Sequence, residues 1–342
     1  MACAYRIARH IAMQRGGWDD DDTDGYLHIM GGESERLGSL ADHGEAVIAR
    51  RRHYGQFFGL TPLPQNFGLV VGNCQAESLR LVIASDALPA IRVPAVHELT
   101  ADDARRLHEL LARASFLVVQ PIRDDYRGLP LGTAQLRASL PTTARVVTVP
   151  AVRFAGLQPF QAVLRLPAFP EDPPLVDYHD VRTVAQAAGT PVPAELPPAA
   201  VHAIADASVA ELRRRETLGI DIAASDLFAP VVEDLARTVN HPGNALFLPL
   251  GERLVAALGA PGRVVDPGRP ILAGVRAPLE SWVVDAWNLD AAPRPDWIVA
   301  GETLSAADVR EAHLAYYAER PALLAAVVER MEPLLGTWAG AA

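Results

Sequence analysis

An α/β fold is expected, with a mostly parallel sheet carrying helices on both faces in the doubly wound, hydrolase-like manner, and a helical C-terminal part beyond it. Short valine-rich runs at 67–71, 115–121 and 145–149 alternate with helical patterns, as in a sheet built with crossover helices. The first run stops at Gly72 and passes through Asn73-Cys74-Gln75 into a helix-compatible stretch ending at Leu79–Ala84, which reads as strand, tight turn, helix. After a proline-rich stretch at about 167–198, alanine- and leucine-rich helical periodicity dominates.

These features divide the 342 residues into an acidic, partly disordered extension (1–45), an α/β domain (46–197) and a helical domain packing on the sheet (198–342). Half of the residues are hydrophobic, which provides a substantial core. Cys3 and Cys74 are the only cysteines, too few for a disulfide framework and suited to a reducing compartment. With neither a signal-peptide pattern nor a run of membrane-spanning length, the expected location is the cytoplasm, without membrane insertion. The net charge of −10 argues against a general nucleic-acid binder. Lysine is absent from the sequence, which removes lysine Schiff bases and leaves phosphate recognition to arginine or backbone amides.

In chain order, the extension contains Asp19-Asp20-Asp21-Asp22 and two Gly-Gly pairs, with little periodicity. A short helix is expected at Ala46–Arg52, and prolines 62 and 64 precede the first strand. After the Cys74 helix come a second strand at Ile91–Pro94, a helix begun by the N-cap Thr100 with Asp103 in the capping-box position, and a third strand ending at Gln120-Pro121. A helix at Ala134–Leu140, with Thr133 placed to cap it, leads to the fourth strand. Further helices are expected at Ala199–Leu218, Ser225–Thr238, Ala245–Leu258 and Ala306–Leu335.

The turn after the first strand is the leading candidate site. Early helical N–H groups lack partners within the helix, so the amides of Asn73, Cys74 and Gln75 could face an anion, and their field favours a thiolate at Cys74. The opposing reading is a small buried hydrophobe. A second candidate is the loop Gln120–Thr133, where Arg123, Asp124, Asp125, Tyr126 and Arg127 gather after a strand: it reads either as a phosphate- or sugar-binding loop or as a charged surface turn. Arg153, just past the fourth strand, could reach the same crevice, while Phe154 and Phe160 read either as aromatic walls for an adenine or sugar or, in preference, as core. In Tyr178-His179-Asp180, adjacency disfavours a dyad and predicts a turn with an exposed histidine. Asn240-His241-Pro242-Gly243-Asn244 reads as a helix start capped by Asn240, with His241 a base kept neutral by the helix dipole. The motifs for a metal site, a Walker loop, a dinucleotide fingerprint and a Gly-x-Ser-x-Gly elbow are missing, so no metal is expected.

Taken together, Gly72-Asn73-Cys74-Gln75, Gln120-Pro121, Asp125-Tyr126-Arg127-Gly128, Tyr178-His179 and Asn240-His241-Pro242 occur in the order found in the WcbI-type polysaccharide biosynthesis acetyltransferases, capsule-associated bacterial proteins that the chain resembles over about 53–258. The resemblance implies coenzyme A binding, acetyl-CoA as donor, a sugar or glycan hydroxyl as acceptor, and one site containing both Cys74 and His241. On that reading Asn73 and Gln75 assist catalysis. Gly72, Gln120, Arg123, Tyr126, Arg127, Arg153 and Asn240 are candidates for binding coenzyme A, and His179 and Asn244 are further candidates. Two other readings stay open: an esterase with Cys74 where a Ser-Gly-Asn-His hydrolase has serine, and a non-catalytic nucleotide- or glycan-binding protein.

Overall fold

The computed structural model describes residues 39–339 except 165, 167, 170 and 262. The expected acidic extension lies outside the described residues up to 38. Its last residues are helical, because α1 runs from Ser39 to His53 and so begins earlier than expected.

The central sheet has four parallel strands: β1 (Gly68–Val71), β2 (Ala90–Ile91), β3 (Phe116–Val119) and β4 (Arg145–Thr148), in the spatial order β2-β1-β3-β4. The second strand is shorter than its apolar stretch because Pro94 cannot donate to a ladder. Both faces are covered. Val70, Val118 and Val147 point toward α2 (Gln75–Ile83) and α7 (Asn244–Ala257). Leu69, Val71, Leu117 and Val119 point toward α3 (Ala101–Leu111) and α4 (Thr133–Ala138). Alternating side chains thus go to opposite faces, and burial on both explains why the strands read as continuous apolar runs. Each fully buried valine or leucine contributes roughly 1.5–3 kcal/mol. The capping box of α3 forms as the sequence predicts: Asp103 N–H donates to Thr100 Oγ1, and Thr100 N–H donates to Asp103 Oδ2. At α4, Gly132 is the N-cap, and Thr133 instead accepts the Ile122 N–H through its hydroxyl, pinning the loop after β3.

The later chain differs more from expectation. Strands β5 (Gln161–Ala162) and β6 (His179–Asp180) pair antiparallel ahead of helices α5 (Val181–Ala187) and α6 (Pro198–Glu216). The expected helix at 225–238 is replaced by two 3-10 turns and strand β7 (Ala236–Thr238), which pairs with β8 (His241–Pro242). A three-stranded antiparallel sheet follows, β9 (Val275–Arg276), β10 (Trp297–Val299) and β11 (Glu302–Leu304), with α8 (Ser281–Trp287) between its first two strands. The C-terminal part is therefore mixed rather than all-helical. The long helix expected from Ala306 is two, α9 (Ala306–Ala318) and α10 (Pro321–Ala339), because Pro321 cannot continue the first and suits the start of the second. No helix among the described residues is long and apolar enough to cross a membrane.

Candidate active site

The order β2-β1-β3-β4 reverses direction between β1 and β3, so the crevice at their carboxyl ends is the topological switch point of the sheet. Val71 pairs with Val119, and the next residues, Gly72 and Gln120, meet there. Gln120 is 3% exposed and folds its side chain beneath Gly72, where an added Cβ would lie 2.3 Å from Gln120 Oε1. Glycine at 72 is required by this close approach. Gln120 Oε1 accepts the Asn73 N–H at 2.8 Å, which sets the turn on the end of the strand.

Asn73 Oδ1 accepts the Gln75 N–H at 2.9 Å, and Asn73 O accepts the Ala76 N–H, so Asn73 performs the capping of α2. Cys74 is held in helical conformation (φ −53°, ψ −24°) at this start, half-buried. Two of the three amides expected to face an anion are thereby occupied. The Asn73 side-chain Nδ2 has no partner among the described residues and is a donor available at the crevice.

Gln75 is 2% exposed and committed on every side. Its Nε2 donates to Val152 O (2.7 Å) and Asn240 O (2.8 Å), while its Oε1 accepts the Val152 N–H (2.9 Å) and Gln120 Nε2–H (3.3 Å). The expected oxyanion donor thus has no amide hydrogen left. Gln75 is a staple that binds the ends of β1, β3 and β4 to the strand carrying His241.

His241 lies in β8, 8% exposed, and not at a helix start: α7 begins at Asn244 with Gly243 as N-cap, so the expected dipole effect does not apply. Asn240 is not a helix cap. Its carbonyl goes to Gln75, and its side-chain Oδ1 accepts from the hydroxyls of Tyr178 (3.0 Å) and Thr238 (3.1 Å). The Tyr178 hydroxyl also lies 3.5 Å from His241 Nδ1. Asn244 is structural: its Nδ2 donates to Arg269 O and its Oδ1 accepts the Ile271 N–H.

His179 is buried, 4% exposed, with Nδ1 2.5 Å from the Tyr317 hydroxyl, where an exposed turn was expected. The extended backbone leading into β6 explains this: Tyr178, just before the strand, reaches His241, and His179, the first strand residue, reaches Tyr317. Asp180 caps α5 and pairs with Arg182.

The basic residues line the loops at the same sheet edge. Arg123 is exposed, with no ion-pair or hydrogen-bond partner among the described residues. Arg153 is also exposed. Arg127 donates to His97 O at 2.5 Å. Its loop holds Asp125 (φ 52°) and Arg127 (φ 57°) in the left-handed region, at roughly 1–3 kcal/mol each. Tyr126 packs partly buried beneath it. Phe154 and Phe160 are core, each 2% exposed.

One turn beyond Cys74, Glu77 pairs with Arg80 and Arg92, and Arg92 lies 3.2 Å from His53. Burial raises the Glu77 pKa, but the two guanidiniums outweigh it and hold the carboxylate below its usual range. Burial, with Arg92 in support, lowers His53 to about 4. No local pattern marks this cluster, whose members His53, Glu77 and Arg92 lie far apart along the chain, nor does one mark Thr238. Among the described residues no group of three or more His, Cys, Asp or Glu could hold a metal ion.

A family model described as polysaccharide biosynthesis enzyme WcbI matches residues 67–263, more than half of the chain. The chain belongs to the WcbI polysaccharide biosynthesis enzyme family. The WcbI match spans both the Gly72–Gln75 turn and Asn240–Pro242, and leaves α1 and the β9–β11 sheet outside. A solved WcbI structure is similar in fold, with a TM-score of 0.60 and 19% identity, covering 78% of this chain and 99% of that one. That structure is described as a novel polysaccharide biosynthesis enzyme, the native protein without a disulfide bond between coenzyme A and a cysteine. No curated protein matches the chain.

Proposed function

We propose that the chain is a coenzyme A-dependent acyltransferase that moves an acetyl group from acetyl-CoA to a sugar hydroxyl of a polysaccharide or glycoconjugate. The observation that carries this reading is the Gln75 staple, which joins the residue after Cys74 to the residue before His241 at the switch-point crevice. A solved family relative is described as its native protein without a disulfide bond between coenzyme A and a cysteine, which supports coenzyme A as a ligand and Cys74 as the residue that meets the thiol end of the donor. Arg123, Arg153 and the remaining donors of Arg127 suit its phosphates, in a chain without lysine.

In the chemistry we propose, His241 takes the Cys74 proton and the thiolate attacks the thioester carbonyl. The tetrahedral oxyanion receives a hydrogen bond from Asn73 Nδ2, and its collapse expels the coenzyme A thiolate, which takes the proton from His241. His241 then removes the proton of the sugar hydroxyl, whose oxygen attacks the acetyl-cysteine and releases the O-acetyl sugar and the thiol. A direct route, with His241 acting on the hydroxyl and the acetyl group passing straight from coenzyme A, uses the same residues except the thiolate.

Incubation with acetyl-labelled acetyl-CoA and a panel of nucleotide sugars and capsular oligosaccharides tests the reading. Label transferred to sugar and lost on His241→Ala supports it. Release of acetate alone, from sugar esters and without coenzyme A, would favour an esterase.

A further inference from the structure

We propose that Tyr178 is a positioning residue that fixes His241 in the tautomer with its proton on Nδ1, leaving the Nε2 lone pair to take up the substrate proton. Tyr178 is 4% exposed, and its hydroxyl touches Asn240 Oδ1 (3.0 Å), Thr238 Oγ1 (2.9 Å) and His241 Nδ1 (3.5 Å). Asn240 Oδ1 can only accept, and the Thr238 hydroxyl is also directed to it, at 3.1 Å. The Tyr178 hydroxyl has one proton, and two oxygens, Asn240 Oδ1 at 3.0 Å and Thr238 Oγ1 at 2.9 Å, lie nearer to it than Nδ1 does. The Tyr178 oxygen therefore has only lone pairs to offer His241, and the contact is favourable when Nδ1 carries the proton. Its length is that of a catalytic hydrogen bond before substrate tightens the site.

Packing holds this arrangement in place. The Tyr178 ring stands at 86° to the imidazole with centroids 6.2 Å apart, and its other side lies 5.6 Å from the Trp297 ring. Trp297 is in β10, outside the stretch shared with the family, so the C-terminal sheet buttresses the tyrosine. When Nε2 accepts a proton, the imidazolium keeps its Nδ1–H on the Tyr178 oxygen, and no second proton moves. The role of that proton transfer rests on the acyl-transfer reading; the tautomer does not.

Histidine-labelled full-length protein examined by two-bond 1H–15N correlation at neutral pH tests the proposal without substrate. The expected spectrum has His241 Nδ1 protonated and Nε2 unprotonated. Tyr178→Phe, which keeps the ring against Trp297, is expected to lose this preference and to lower kcat roughly ten- to hundredfold with little change in the KM for acetyl-CoA. Asn240→Asp, whose oxygens also only accept, is expected to retain the Nδ1–H form. An Nε2–H tautomer in the unaltered protein, or a Tyr178→Phe spectrum unchanged from it, would overturn the proposal. An Nδ1–H spectrum in a protein that transfers no acetyl group upholds the tautomer and removes the acyl-transfer reading alone.

Discussion

The side-chain amide of Gln75 donates to the main-chain carbonyl of Asn240 at 2.8 Å, across 165 residues of chain. Through it the Cys74 turn is tied to the strand that carries His241. The same side chain pairs with both backbone groups of Val152, as a neighbouring strand would.

Gln75→Leu keeps the volume close but leaves the Val152 and Asn240 backbone groups without their buried partners. A loss of roughly 2–4 kcal/mol in unfolding free energy is expected, read by urea denaturation, together with loss of transfer activity. A variant as stable as the parent would show that the staple is dispensable.

Gly72→Ala sets a methyl group 2.3 Å from Gln120 Oε1. Overpacking of this kind costs roughly 1–3 kcal/mol. Because the obstacle is one side chain, Gln120→Ser should relieve most of the cost, and a double-mutant cycle should show strong coupling between the two positions. Additive effects would place the strain elsewhere.

Cys74→Ala separates the two chemical routes. The covalent route predicts that an acetyl group, trapped on the protein by acid quench in the absence of acceptor and located by peptide mass spectrometry, disappears along with turnover. Retention of most turnover in the variant would establish direct transfer.

His53 titrates about 4 in the folded chain, against 6.5 when unfolded. The unfolded chain thus gains a proton that the folded one resists. The corresponding stability is complete above pH 6.5 and is lost as the pH falls toward 4. His53→Gln should flatten the decline of unfolding free energy over that window. The Glu77 contribution, from a carboxylate held below 4.5, is lost only at lower pH and is common to both proteins. An unchanged slope would show that His53 is already protonated in the native state.

The strand-turn-helix around Cys74 and the strands after it were legible because burial on both faces leaves unbroken apolar runs, and Thr100 and Asp103 carried a helix start with a mechanism. The junction at Asn240 misled: Asn with a proline two residues on is a cap signal, yet pairing of β8 with β7 and the demand of Gln75 for a carbonyl overrode it. Gln75 and Gln120 stand out in the sequence beside Cys74 and at the end of the third strand, but their role as staples depends on four chain segments meeting, which no local pattern encodes. Tyr178 and His179 look alike as neighbours; only the extended backbone at the start of β6 sends one to His241 and the other to Tyr317. The β9–β11 sheet went unrecognised because its strands are two or three residues long.

Calorimetric titration of the full-length protein with coenzyme A and acetyl-CoA, repeated with Arg123→Ala and Arg153→Ala together, tests the central claim most directly. Saturable micromolar binding of both ligands is expected, weakened in the double variant by loss of contacts to the phosphates. Absence of binding to the unaltered protein would contradict it, and would turn attention to sugar esters as ligands of the Cys74 crevice.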